Sequence, residues 1–155
     1  MQIIICMNKK DKYCYDYPRP ALTVDCVLFS EINNEIYVLF IQRKNDPFKD
    51  AWAFPGGFVD MDETTIDAAK RELKEETGVE INNLVQVQTF SDVFRDPRGR
   101  TVSVVYFAEV KEGIKLIAGD DANDVRWFSL KELPKLAFDH GTILNFVINK
   151  FRIKI

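Results

Sequence analysis

One stretch, Gly56–Val79 (GGFVDMDETTIDAAKRELKEETGV), limits what this chain can become more than any other. It opens on two glycines, crosses an acidic loop and reads as a helix from about Thr64 to Thr77. Thr64 or Asp62 would serve as N-cap, with Gly78 at the C′ position. Ile66, Ala69 and Leu73 recur at helical spacing and make the face that should meet a core. Glu72, Glu75 and Glu76 stand at i, i+3 and i+4, so their carboxylates point to one side. Like charges spaced this way cost a helix roughly 0.2–0.5 kcal/mol per pair. Glu75 and Glu76 also occupy the last turn, where the helix dipole favours cations over anions by about 0.3–1 kcal/mol. Asp67, by contrast, sits at the helix start in favourable order four residues before Arg71. A cluster that breaks two local rules calls for a positive partner. Carboxylate oxygens suit hard divalent cations, magnesium first and manganese second.

The bland reading of such a helix is a solvated Lys/Glu face. The spacing speaks against it. Gly57, Glu63, Arg71, Glu72, Leu73, Glu75, Glu76, Gly78 and Val79 fit G-x5-E-x7-R-E-(apolar)-x-E-E-x-G-(apolar) with no departure. The pattern resembles the Nudix box. The resemblance implies an α/β fold, the Nudix-type α/β/α sandwich with a mixed β-sheet between helices. It also implies metal-dependent hydrolysis of a nucleoside diphosphate linked to another group X. By the same resemblance, Glu72, Glu75 and Glu76 bind the metal with a backbone carbonyl of Gly56 or Gly57, and Glu63 pairs with Arg71 to brace the loop against the helix. Leu73 and Val79 are core positions.

The 155 residues suit one domain, 1–155, with residues 1–20 as an N-terminal arm. A net charge of −3 leaves no electrostatic footprint for nucleic acid. No run approaches the ~20 apolar residues of a membrane helix, and MQIIIC lacks the form of a signal peptide. Three cysteines without C-x-x-C spacing support neither a disulfide framework nor a zinc site. A reducing cytoplasm is the expected setting, and Cys26, in an apolar run, reads as a core residue.

Residues 21–29 and 36–42 are β-rich runs, too continuously apolar for a strand with one wet face, and are separated by a polar turn signal at residues 31–35. Residues 51–57 read as a short strand breaking into a tight glycine turn. Residues 84–94 and 102–110 read as strands around a basic loop, 95–100. An acidic loop, 118–124, precedes a strand at 125–128, and a brief helical turn is expected at 130–136. Asp139 would cap a last helix whose apolar face is Ile143, Leu144, Val147, Ile148 and Phe151.

An acidic protein acting on phosphates needs local cations. Arg43, at a strand end, and Arg95, Arg98 and Arg100, in one loop, are candidate substrate contacts through guanidinium–phosphate bonding. A solvated charged hairpin is the alternative for the loop arginines. Phe48 is a candidate for stacking on a base, as is Phe94, although aromatics beside a sheet are more often core. Trp52 and Trp127 read as packing residues. His140, beside the Asp139 cap, is first a structural residue. The general base is either Glu75 or an acid of the later loop, among which Asp121 is favoured.

Outside the box, PRPALTVD, SDVFRDPRGRTVSVVYF and AGDDANDVRWFSLKELPKLAFDH resemble the ADP-ribose pyrophosphatase branch of the Nudix family. That branch implies ADP-ribose as substrate, with AMP and ribose 5-phosphate as products, and a possible homodimer. The same segments resemble the effector domains of Nudix-related transcriptional regulators, which sense nucleotide sugars without cleaving them. A sanitising hydrolase of nucleoside triphosphates is the remaining alternative.

Overall fold

A computed structural model describes residues 15–119 and 122–154 of the chain. Among them are strands β1 (Ala21–Ile32), β2 (Glu35–Arg43), β3 (Trp52–Ala53) and β4 (Gly56–Phe58), helix α1 (Thr65–Thr77), strands β5 (Val85–Phe90), β6 (Thr101–Val110) and β7 (Ala122–Ser129), and helix α2 (His140–Phe151). Of the expected N-terminal arm, residues 15–20 have irregular backbone and the rest lies outside the described residues.

β1 is the spine, and its apolar run divides by alternation. Val24, Cys26 and Leu28 join Leu39 and Ile41 of β2, Val104 and Tyr106 of β6, and Ala68, Ala69 and Leu73 of α1 in one core. Val27 and Phe29 join Val38 and Phe40, Val105 and Phe107, and Ile143, Leu144 and Val147 of α2 in a second core. The uninterrupted hydrophobicity of these strands follows from a sheet covered on both faces. The sheet is mixed, with β1 parallel to β6 and the other pairs antiparallel. Cys26, wholly buried, has its thiol pushed up by burial, and acts as a packing group.

β1 and β2 pair only from Phe29–Val38 to Ile32–Glu35, beside a two-residue turn in which Asn33 and Asn34 take φ of 52° and 62°. Nearer its start, β1 pairs instead with β4 from Thr23–Phe58 to Asp25–Gly56. The divergence of β2 from β1 opens a cleft, with β3 and β4 along its side.

Three expectations change. Gly56 and Gly57 form no tight turn; they are strand residues opposite Asp25 and Val24, and they must be glycine because neighbours come close. A Cβ on Gly56 would lie 2.1 Å from the Val24 carbonyl oxygen. Residues 130–136 form no helical turn. A single turn, with Glu132 N donating to Ser129 O at 3.0 Å, gives way to a backbone that bridges Leu136 to Trp52. The first strand beside the basic loop ends at Phe90 rather than 94, because Arg100 takes the Ser91 and Asp92 carbonyls for itself.

Candidate active site

Thr64 opens α1, its hydroxyl accepting from Asp67 N and donating to the Asp67 carboxylate at 2.5 Å. Gly78 closes the helix at φ 72°. Asp67 therefore turns back to the cap, and the expected Asp67–Arg71 pair does not form among the described residues. Arg71 instead reaches Glu63 through Nε at 3.0 Å and Nη2 at 2.6 Å, and also donates to Phe58 O at 3.1 Å. Glu63 Oε1 accepts from Asp60 N at 2.8 Å. These bonds fasten the loop from β4 onto α1, and the guanidinium holds the Glu63 carboxyl below its ordinary range.

The three glutamates share an edge of α1 but not an environment. Glu72 is mostly enclosed, and Glu75 is exposed; Arg71 Nη1 lies 2.7 Å from the first and 3.2 Å from the second. Glu76 turns inward and accepts from Gly56 N at 2.8 Å. Burial pushes the Glu76 carboxyl from its ordinary 4.5 up to about 8, with neighbouring Glu72 and Asp25 adding to the rise. Burial also raises the Glu72 carboxyl, against the pull of Arg71.

These residues fit a divalent cation by their donors. Two carboxylates lie in a partly dry site that penalises their charge, and oxygen-only donors favour a hard ion. The space is kept by Gly57, since a Cβ there would fall 2.4 Å from Glu72 Oε1. The carboxylates are not closed into a cage among the described residues, because Arg71 bridges two of them and Gly56 holds the third.

Glu76 opens onto the cleft between β1 and β2, whose walls include Thr23, Asp25, Arg43, Phe54, Gly56, Gly57, Arg95, Arg98, Phe138 and His140. Of the arginines expected to grip substrate, Arg43 and Arg98 reach this cleft with a guanidinium to offer. Arg43 donates Nε to Pro47 O at 2.9 Å and Nη2 to Asn45 O at 3.4 Å, acceptors that leave its charge uncancelled. Arg98 is gripped by Asp96, at 2.7 Å from Nη2 to Oδ2. Burial opposes ionisation of Asp96, but the bonds from Arg98 outweigh it and hold the carboxyl below its ordinary value. Phe48 stands beside the cleft, edge-on to Phe138 at 4.8 Å.

Arg95 and Arg100 are each engaged by partners within the protein. The Arg95 side chain is 5% exposed and makes a bidentate pair with Asp139, at 2.9 and 2.7 Å. Asp139, spent on Arg95, makes no side-chain cap for α2. Arg100 closes its own loop through the Ser91 and Asp92 carbonyls. Two of the loop's three arginines are thus paired, Arg98 with Asp96 of the same loop and Arg95 with Asp139 from the start of α2. Asp121 lies outside the described residues. Phe94 is 94% exposed and is not among the residues that line the cleft.

Sequence reasoning passed over Asp25, Asp96 and Phe138, and left His140 as structural. Asp25, the lone acid in ALTVDCVLF, projects to the α2 side of the sheet, accepts from Ser103 Oγ and lies 3.8 Å from Arg95 Nη2. His140 Nδ1 accepts from Phe54 N at 2.9 Å, which puts any ring proton of the neutral form on Nε2, 3.5 Å from Asp25 Oδ1. Burial holds the imidazole below its ordinary value, so it is the neutral form that is favoured. A single charge inside an apolar strand was the available signal for Asp25.

The family model of the NUDIX domain matches residues 19–146. The chain belongs to the Nudix family. An ADP-ribose pyrophosphatase from Methanocaldococcus jannaschii is 47% identical over 141 residues, covering 89% of this chain and 79% of the relative. The ADPR responsive transcriptional repressor NtrR from Acinetobacter baylyi is 40% identical over 133 residues, 83% of this chain. This Nudix chain spans about half of that repressor, 53% of its length. The NUDIX domain of Shewanella oneidensis NrtR, solved with ADP ribose, superposes with a TM-score of 0.83 at 34% identity, covering 88% of this chain and 94% of that one. No helix among the described residues is long and apolar enough to cross a membrane.

Two expected outcomes follow from this geometry. Arg95→Ala strands Asp139 and weakens the grip on Asp25, and should cost about 3–5 kcal/mol in urea unfolding; Arg100→Ala should stay within about 1 kcal/mol. For Glu76 the folded state binds the proton more tightly than the unfolded chain, so the metal-free protein loses stability as pH rises from 4.5 to about 8. Glu76→Gln removes that loss. In thermal melts without metal, the variant should exceed wild type at pH 8 and converge with it toward pH 4.5, and a constant offset across this range would contradict the burial argument.

Proposed function

We propose that this Nudix hydrolase cleaves ADP-ribose to AMP and ribose 5-phosphate, by attack of water on phosphorus in the diphosphate link. The observation that carries the reading is one cleft with two charge sets: Glu76 on Gly56 N, with Glu72 behind Gly57, and the guanidinium groups of Arg43 and Arg98. A diphosphate brought in with a divalent cation needs both. The 47% identity to an ADP-ribose pyrophosphatase favours ADP-ribose among such substrates.

Glu72, Glu75 and Glu76, with a carbonyl of Gly56 or Gly57, would hold the metal, magnesium or manganese. When bound, it supplies charge neutralisation for the phosphate oxygens and a more acidic water. Arg43 and Arg98 orient the diphosphate. Glu63 and Arg71 keep the β4–α1 loop in place, so that Glu72 stays against Gly57. For the proton of the attacking water we favour Asp121, with Glu75 as the box alternative. The residues on either side of it support Asp121. Gly119 N donates to Glu76 O at 3.2 Å, and Ala122 pairs with Arg43.

The likeness to NtrR favours a second reading, a domain that binds ADP-ribose without cleaving it. The box here keeps all nine patterned residues, which favours turnover. We place the reaction in the cytoplasm, in keeping with the free buried thiol of Cys26, and expect a homodimer on the family resemblance.

The deciding measurement is hydrolysis with magnesium across ADP-ribose, dinucleotide cofactors, sugar nucleotides and nucleoside triphosphates. ADP-ribose should give the highest kcat/KM, with AMP and ribose 5-phosphate as products. Tight binding without turnover would establish the sensor, and preference for triphosphates would replace the substrate. Asp121→Asn should lower kcat about 10²–10⁴-fold with metal affinity little changed. A near-normal rate would transfer the base to Glu75.

A further inference from the structure

Phe138 occupies a backbone conformation that its side chain does not favour. Its φ is 50°, in the left-handed region where glycine, asparagine and aspartate are the usual residues. It sits in a turn closed by His140 N donating to Ala137 O at 3.2 Å, a place where glycine would be relaxed. Both sides are fixed independently. Ala137 N donates to Trp52 O at 2.8 Å, Asp139 is bound by Arg95, and His140 accepts from Phe54 N. Surroundings this well determined can impose an unfavourable conformation, and such conformations gather at functional sites.

The ring is where two cations meet. The guanidinium carbon of Arg43 lies 4.8 Å from its centroid and that of Arg98 lies 5.2 Å from it. Phe48 packs edge-on at 4.8 Å, and Arg98 also approaches the Phe58 ring at 5.4 Å. Two guanidinium groups near one another repel. A carboxylate between them would relieve the repulsion but would also compete with an incoming anion. Asp96 already pairs with Arg98; an aromatic face attracts both guanidinium groups through its quadrupole and carries no net charge, so it draws them together without adding a second competitor for an incoming anion.

We propose that Phe138 is the positioning residue that holds Arg43 and Arg98 side by side to receive a diphosphate. This rests on the diphosphate reading given above. Phe138 acts through the two arginines, not on the reacting atoms. Its loss therefore weakens substrate capture and spares the chemical step.

The test is a series at this position, Phe138→Trp, Phe138→Leu and Phe138→Gly, with KM and kcat for ADP-ribose measured beside thermal melts. Trp keeps a ring face, Leu keeps apolar bulk without one, and Gly suits the backbone but deletes the ring. Leu and Gly should raise KM about tenfold with kcat within about twofold, while Trp stays near wild type. Gly should do so without falling in stability as Leu does. The effect of Leu should shrink in an Arg43→Ala background. A packing role would instead make activity follow the melting temperature, with Leu tolerated and Trp damaging, and that pattern overturns the proposal. Calorimetric titration of the metal-free protein with inorganic pyrophosphate separates this proposal from the substrate assignment. If ADP-ribose is not hydrolysed, a tenfold weaker pyrophosphate affinity in Phe138→Leu still supports the role. Unchanged affinity overturns it.

Discussion

The bond from Gly56 N to the Glu76 carboxylate joins the two halves of the site and decides what the rest must accommodate. A glutamate in the last turn of a helix would ordinarily face water, away from the negative end of the dipole. Here one backbone amide draws it inward beneath β4, while Gly56 and Gly57, carrying no side chains, let the Val24 carbonyl and the Glu72 carboxylate come close. Arg71 then becomes necessary. It offsets Glu72 and Glu75 on the outer edge, while its bidentate grip on Glu63 stops the loop from moving away from the helix. The local rules that this helix breaks are answered by one arginine outside and one amide inside.

The cleft shows the same economy of charge. Of its three arginines, one is committed to Asp139 and one to Asp96, while Arg43 hydrogen-bonds to carbonyl oxygens and faces the Phe138 ring. Burial depresses the Arg43 guanidinium, and nearby Arg98 depresses it further. Pairing with carboxylates orients Arg95 and Arg98, and Arg43, the less compensated, keeps the most attraction to spare. A chain of net charge −3 can thus attract phosphate at one place without a basic surface.

What could be read in the sequence was what lies close together in it. Capping by Thr64, termination at Gly78, the buried face of α1 and the two-sided burial of β1 and β2 each depend on neighbours within a turn or two of chain. The Nudix architecture followed from 23 consecutive residues. The glycines were misread as a turn because the reason for them, a crossing strand at Val24 and a helix carboxylate at Glu72, lies elsewhere in the chain. The basic loop misled for a related reason. Its charges looked available until Asp139 came up beside Arg95. Asp25, Ser103, Arg95 and His140 come from four separate elements, and no spacing rule could have assembled them.

The chain distances in that cluster bear on how the molecule acquires its site. The Ser103–Asp25 bond spans 78 residues and the Phe54–His140 bond spans 86. The carboxylate edge of α1, by contrast, is a matter of a few helical turns. Loop-closure entropy makes such distant pairings costly to form early, and contacts of this range slow folding. The donor edge can therefore exist before the cleft does. The carboxylate edge comes with local structure, whereas the cleft wall exists only once β6 has docked parallel to β1 and α2 has packed against the sheet. The cleft in this chain is a property of the whole fold.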